Sequence, residues 1–365
     1  MKMEQVHAVT ETKNRKIQRT TESRELHDLS PSRIRTAQKC GLAFKYQYID
    51  KLPAASESAA MIFGNVIHYA SEQFYGGPGP ITPDNEHAHK DMDLVDLVRA
   101  QWPQLLPEGI WAFVEELIGL DQERIAVANL IKLQRDLKNP MQSKQFLESS
   151  EHAAFIAKRK EMVEVCDAFK EITWPKDQDA FAAYQKSEEV ARRLEREWKP
   201  KPRPLVVEEP FRMEFEGFVV RGQIDQIRRD PDPKTGELKP PSINDIKTGR
   251  QLFTQMEAFM QGFLYWAANH QLSQEVDYVV DTDLVDFIMA RHMNQNGTTK
   301  IQRGKIDPKR HTKLAKTIMN STANSIISGD TAPHYGMWCK SCDFHEICET
   351  EIDLWDGDGV IVEMA

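Results

Sequence analysis

Two short runs joined by a turn-rich segment constrain this chain most. Phe218 to Arg228 contains Gly222-Gln223-Ile224-Asp225, and Ile243 to Lys247 carries Asp245 and Lys247. Between them lies Asp230-Pro231-Asp232-Pro233-Lys234-Thr235-Gly236-Glu237, dense in residues that favour turns. Two strand-like runs so connected predict an antiparallel hairpin that brings Asp225 near Asp245 and Lys247. Side chains two apart on a strand leave the same face, so Asp245 and Lys247 stand side by side.

A carboxylate beside an ammonium on one face suits metal-assisted attack on a phosphodiester. The carboxylate holds a hard divalent ion, and the ammonium steadies charge on the phosphate or orients water. Further residues fall in a consistent order. Upstream is Phe63-Gly64-Asn65-Val66-Ile67-His68, in which Ile67, Ala70 and Phe74 predict the buried side of a helix and His68 shares another face with Glu72. Taken alone, His68 reads more readily as a surface histidine paired with Glu72. Downstream, Thr248-Gly249 follows the lysine. A helix is then predicted from about Gln251 to His270, with Leu252, Met256, Phe259, Phe263 and Trp266 buried and Gln261 and Tyr265 four apart on another face.

This ordered set resembles the RecB-like branch of the PD-(D/E)XK nuclease superfamily: G-x-x-D at Gly222 to Asp225, D-x-K-T-G at Asp245 to Gly249, Q-x-x-x-Y at Gln261 to Tyr265 and G-x-x-x-H at Gly64 to His68. Ile224 stands where the superfamily's proline precedes the aspartate, a departure common in that branch. The resemblance covers about Leu29 to Cys348. It is nearest in pattern to CRISPR-associated RecB-like exonucleases, phage relatives and the nuclease domain of AddB. It implies an α/β fold, with a restriction-endonuclease-like core sheet flanked by helices. It implies catalytic roles for Asp225, Asp245, Lys247, Gln261 and Tyr265. The implied metal ligands are His68, Asp225, Asp245 and the Ile246 carbonyl, holding Mg²⁺ or Mn²⁺. Glu208, on a strand expected over Leu205 to Phe211, falls where the family often has a glutamate and is read as a supporting residue.

The cysteines pose a separate question. The chain has five, an odd number, and three are clustered as Cys339-x-x-Cys342-x5-Cys348, which points to metal rather than disulfides. Cys40 lies beside the apolar stripe Ile34, Ala37, Gly41, Phe44 and Tyr48, on a helix that Ser30 caps and Pro31 opens. By itself Cys40 reads as a small buried hydrophobe. The resemblance implies instead a [4Fe–4S] cluster held by Cys40, Cys339, Cys342 and Cys348, stapling the N- and C-terminal regions. Zinc is the alternative for four thiolates. By analogy with a disulfide closing so long a loop, the staple is worth roughly 5 kcal/mol. Cys166 reads as a non-ligand cysteine.

Around these sites the chain divides into an N-terminal tail (1–26), read as disordered, a nuclease domain (27–348) with a helical insertion at about 85–198, and an acidic tail (349–365). Lys199 to Pro204 reads as a stiff linker. The formal net charge of −9 argues against binding nucleic acid through overall charge, and leaves room for local basic tracks. One candidate runs through Lys300, Arg303, Lys305, Lys309, Arg310, Lys313 and Lys316. The other comprises Arg192, Arg193, Arg196, Lys199, Lys201 and Arg203. Ordinary solvated faces are an equal reading of both. No apolar run is long enough for a bilayer, and the polar first 25 residues carry no export signal, so cytoplasmic residence is expected. There is no G-x-x-x-x-G-K-[ST] and hence no built-in ATP motor.

The function expected from the resemblance is metal-dependent hydrolysis of DNA as an exonuclease, acting on single-stranded ends in recombination, repair or phage- or CRISPR-related processing. Two alternatives stand beside it. One is a DNA-binding or assembly module of a recombination or CRISPR adaptation complex, with weak or no cleavage. The other is a zinc-stabilised nuclease of RNA.

Overall fold

The computed structural model describes residues 28–349, apart from 54–56, 136–148, 170–171, 176–178, 216–217, 233, 250–251, 253, 328–331, 335, 337–338 and 340–341. The expected tail at 1–26, and all of that at 349–365 except Glu349, therefore lie outside the described residues. In chain order the elements are β1 (Asp28–Leu29), α1 (Pro31–Lys39), α2 (Gly41–Phe44) with a π-helical turn (Lys45–Ile49), β2 (Glu57–Ser58) and α3 (Ala59–Phe74). Then come β3 (Gly79–Pro80), α4 (Ala88–Asp91), α5 (Leu94–Leu105), α6 (Glu108–Arg135), α7 (Ser150–Ala168), β4 (Ile172–Thr173) and α8 (Ala180–Trp198). The remainder is β5 (Val206–Phe215), β6 (Phe218–Arg228), β7 (Ser242–Lys247), α9 (Gln255–Glu275), β8 (Leu284–Met293), β9 (Thr299–Lys305) and α10 (Pro308–Ile327).

A mixed sheet in the order β3-β5-β6-β7-β8-β9, with β1 added in parallel to β6, divides the molecule. The meander β5–β6–β7 is antiparallel. β7 and β8 are parallel, joined through α9, and β9 closes the edge antiparallel to β8. A parallel pair requires a crossover, and α9 supplies it against one face of the sheet. Its Phe263 and Leu264 share a core with Ile224, Ile243 and Met289 of the sheet, Ile34 of α1 and Met319 of α10. On the other face α3, α5 and α8 pack against Val207, Ile246, Ile288 and Ala290. Sheet alternation thus sends Ile246 to one core and its neighbours Asp245 and Lys247 towards the other face, that of α9.

The helical stretch 88–198 packs behind α3. Phe63, Val66 and Phe74 of α3 share one core with Val98 and Trp102 of α5 and Leu194 and Trp198 of α8. The Trp102 indole donates to Ser187 at 2.8 Å, satisfying the one polar group of a fully buried ring. These helices brace the helix that carries His68.

Three local expectations differ from the structure. The first helix stops at Cys40, whose backbone is extended (φ −159°, ψ 117°), and restarts at Gly41. The Cys40 sulfur accepts the Ala43 N–H at 3.5 Å, so this residue caps the second helix instead of riding in a continuous stripe. In α9 the buried side chains include Met260, Phe263, Leu264, Tyr265 and Ala268, Phe259 and Trp266 are only partly buried, Leu252 precedes the helix and is exposed, and the Met256 side chain lies outside the described set. A capping box between Thr254 and Glu257 fixes the start of α9 several residues later than the apolar pattern alone implies.

The second basic track survives only in part: Arg192 and Arg196 are exposed, but the other residues are buried or paired. Arg193 is buried against Thr299 and the Ala290 carbonyl. Arg203 is buried and donates to the Tyr75 and Pro204 carbonyls. Lys201 and Lys199 pair with Asp230 and Glu195. In the first track Arg303 is held bidentate by Asp286, whereas Lys309, Arg310 and Lys313 are exposed on α10. No helix among the described residues is long and apolar enough to cross a membrane.

Candidate active site

The hairpin expected between β6 and β7 forms, but over three pairs only: Gln226↔Asn244, Ile227↔Ile243 and Arg228↔Ser242. Carried one step further, the same register sets Asp225 across from Asp245. There the two strands part. Ile246, next along β7, would leave its backbone groups without a strand partner on that side, a costly outcome for a buried residue. Asp225 and His68 supply the missing partners. The Ile246 N–H donates to Asp225 Oδ2 at 2.7 Å, and its carbonyl lies 3.1 Å from His68 Nε2. The split in the sheet is therefore the mouth of the site, and two candidate residues hold it open.

Glu208 completes the cluster. In the β5–β6 ladder Val207 pairs with Gln226 and Glu209 with Ile224, so Glu208 stands opposite Asp225. Its backbone is left-handed, with φ 52°, inside an otherwise extended strand. That conformation costs a non-glycine residue roughly 1–3 kcal/mol. It accompanies a carboxylate placed 3.7 Å from His68 Nδ1, while Asp225 Oδ2 lies 3.6 Å from the same nitrogen. One ligand atom each from His68, Glu208 and Asp225 fall within 4.8 Å of one another. An imidazole, two carboxylates and a nearby backbone carbonyl form a mixed N/O donor set suited to Mn²⁺ or Mg²⁺.

Asp245 is placed beside this group rather than within it. Its Oδ2 lies 2.6 Å from Lys247 Nζ, an ion pair without the alignment of a hydrogen bond. Its Oδ1 accepts from the Tyr265 hydroxyl at 2.9 Å and from Gln261 Nε2 at 3.5 Å. Gln261 Nε2 also donates to the Tyr265 oxygen at 2.8 Å. The Q-x-x-x-Y spacing on α9 thus orients the Asp245 carboxylate. Tyr265 is buried and meets the Phe211 ring edge-on, with centroids 6.2 Å apart.

Two glycines of the motifs have steric reasons. Gly222 pairs with Phe211 across the ladder, and a Cβ on it would come within 2.5 Å of the Phe211 ring. A Cβ on Gly64 would come within 3.1 Å of Thr248 Oγ1, so glycine lets α3 approach the segment just after Lys247.

The electrostatics follow from burial of like charges. Burial disfavours the His68 imidazolium, but Asp225 first, then Glu208 and Asp245, outweigh it and raise its pKa to about 9. Burial pushes the Asp225 carboxyl well above the usual carboxylate range; His68 works against this and Asp245 and Glu208 add to it. Burial and the Asp245 carboxylate keep the Tyr265 phenol protonated, as a donor. Converging carboxylates that repel one another in a buried mouth are what a divalent cation relieves.

The residues expected from the sequence are thus gathered at one place: His68, Asp225, Ile246, Asp245, Lys247, Gln261 and Tyr265. Glu208 carries more weight than its supporting role. The signal for it was in the β5–β6 hairpin: Phe215↔Phe218 closes the turn, and counting back along both strands reaches Glu208↔Asp225.

At the far end of α1, Cys40, Cys342 and Cys348 pack against a small cluster of Leu42, Tyr46 and Phe344. The Cys342 thiol is pushed up by burial and by its neighbours Cys40, Asp343 and Cys339, against a backbone hydrogen bond at Phe344. Cys166 is elsewhere, buried against Met162, and burial lifts its thiol to about 11.

Mixed-sheet topology, a split hairpin bearing two aspartates and a D-x-K pair braced from the crossover helix define a metal-dependent nuclease architecture. A family profile described as the PD-(D/E)XK nuclease superfamily matches residues 28–155 and 142–349. The chain belongs to that superfamily. Its nucleases use divalent metals, and the group His68, Glu208 and Asp225 could hold one. Comparison with curated proteins gave no match.

Proposed function

We propose that the chain is a metal-dependent DNA exonuclease acting on single-stranded ends. The observation that carries the hydrolytic part is the meeting of His68, Glu208 and Asp225 within 4.8 Å, beside an Asp245 carboxylate paired with Lys247. His68, Glu208, Asp225 and the Ile246 carbonyl hold the ion, with Asp245 adjoining. When bound, the ion supplies charge neutralisation at the phosphate and acidifies water. Lys247 places its ammonium where charge builds on the attacked phosphate. Tyr265 and Gln261 keep Asp245 oriented towards that ammonium. Exonuclease action, single-strand preference and work in recombination, repair or CRISPR-related processing rest on the resemblance to RecB-like enzymes.

The same reading gives Cys40, Cys339, Cys342 and Cys348 a [4Fe–4S] cluster. Three of the thiols share one small apolar cluster, and the fourth is near enough to affect Cys342. The distant fourth cysteine favours the cluster over zinc, since zinc ribbons usually draw on two close pairs.

The test is to purify the protein anaerobically, record its visible spectrum, and add end-labelled and internally labelled single-stranded DNA and RNA with and without Mn²⁺. A broad band near ~400 nm with metal-dependent release of terminal nucleotides from DNA is expected. Colourless protein that cleaves hands the cysteines to zinc. Coloured protein that binds DNA without cutting it makes the chain a binding module, and cutting confined to RNA makes it an RNA nuclease.

A further inference from the structure

We propose that the groove between α1 and α9 carries the nucleic-acid backbone next to the scissile phosphate, with Arg35 as its phosphate contact. This rests on the nuclease reading and adds to it a substrate-positioning residue. The groove has a volume of about 170 Å³; its polar lining is Ser32, Arg35 and Gln38 of α1, Glu257 and Gln261 of α9, and Lys247, over an apolar floor. Lys247 and Gln261 belong also to the active site. The groove is therefore continuous with the position of the attacked phosphate, and a strand lying across Lys247 has its neighbouring linkage there.

Its charge suits that occupant. Glu257 is the one acid in the lining, and its carboxylate is committed. It accepts from the Thr254 N–H and hydroxyl at 3.1 and 2.9 Å and lies 3.8 Å from Lys39. Although burial opposes ionisation, those hydrogen bonds, with Lys39 and Arg35, hold Glu257 below the usual carboxylate range. Arg35 is exposed and makes no ion pair among the described residues. A guanidinium presents a planar fork of donors that matches two phosphate oxygens. Arg192, for comparison, is paired with Glu188 at 2.7 Å. Ser32 and Gln38, one turn to either side of Arg35, add neutral donors along the same wall.

The experiment measures affinity separately from cleavage. Binding of a labelled single-stranded oligonucleotide to full-length protein is followed by anisotropy in EDTA over a range of salt. Arg35→Gln is expected to weaken binding about tenfold and to flatten the salt dependence by about 0.7. Arg35→Lys keeps the charge without the fork and is expected to recover most of the slope and part of the affinity. In Mn²⁺, a neutral methylphosphonate linkage is then walked along the substrate. Wild type is expected to lose kcat/KM when it occupies one position beside the cleaved bond, while Arg35→Gln, with raised KM and unchanged kcat, loses nothing further there. Equal affinity and equal salt slope for wild type and Arg35→Gln overturn the proposal, as does wild type that binds no DNA. Wild type that binds without cleaving removes the nuclease reading, while the affinity difference still decides the groove. Should Arg35→Gln melt lower than wild type, the Arg35→Lys comparison replaces it.

Discussion

The mouth of the sheet and the cysteine site are built on opposite principles. At the mouth every candidate residue is fixed by strand register or by a braced helix. Asp225 and His68 each hold a backbone group of Ile246, and Tyr265 and Gln261 hold Asp245. Two large cores, one on each face of the sheet, stand behind them. The cysteine site has Leu42, Tyr46 and Phe344 as its buried hydrophobes and draws its thiols from residues just over 300 apart in the chain. The difference implies a division of labour. On the proposed reading the mouth would fold without its ion and use it for chemistry, whereas the cysteine site would depend on its cluster for cohesion.

That contrast can be broken in four ways. The largest effect is expected from Asp245→Ala or Lys247→Ala. Each should lower cleavage by roughly 10³-fold or more, with DNA binding kept and the melting temperature little changed. Full cleavage by either variant removes the assignment.

Cys342→Ala tests the other half. It should lose bound iron and lower the melting temperature by roughly 5 °C or more, in keeping with a staple of several kcal/mol. Metal analysis and calorimetry measure it. An unchanged melting temperature with no metal in either protein means that the cysteine site is not a staple.

Gly222→Ala should be intermediate. The new methyl meets the Phe211 ring, which in turn abuts Tyr265. A loss of about 1–3 kcal/mol in stability is expected, together with a fall in kcat from a displaced Asp245. If only stability falls, Tyr265 does not depend on Phe211 for its place.

The smallest effect is a pH dependence at the mouth. His68 has a folded pKa of about 9 against 6.5 unfolded. The metal-free protein holds that stabilisation in full below pH 6.5 and loses it as the pH rises through 9. An ion must displace this proton, so the rise in melting temperature produced by Mn²⁺ should grow between pH 6.5 and 9. His68→Ala should flatten the difference. A Mn²⁺ effect independent of pH in wild type would mean that His68 is not a ligand.

Part of the site was legible because it lies in local patterns. Spacing of two on a strand set Asp245 beside Lys247, and spacing of four on a helix set Gln261 beside Tyr265. The turn-rich segment after Asp230 announced the hairpin. Other features needed long-range information. The break at Cys40 reads as helix in a sequence whose apolar spacing continues unbroken through Tyr48. The basic track at 192–203 looks like a surface until Arg193 and Arg203 are seen buried under carbonyl oxygens.

The sequence by itself determined the order of the motifs, the pairing of β6 with β7 and the residue types that meet a metal and a phosphate. These are consequences of periodicity and turn chemistry, which act over a few residues. The tertiary structure decided where the hairpin splits and that Glu208 turns into the mouth while Asp245 turns to Lys247. It also decided which arginines are buried and which stay exposed. Those outcomes depend on which buried backbone and charged groups find partners, and the partners come from residues as far apart as His68 and Ile246.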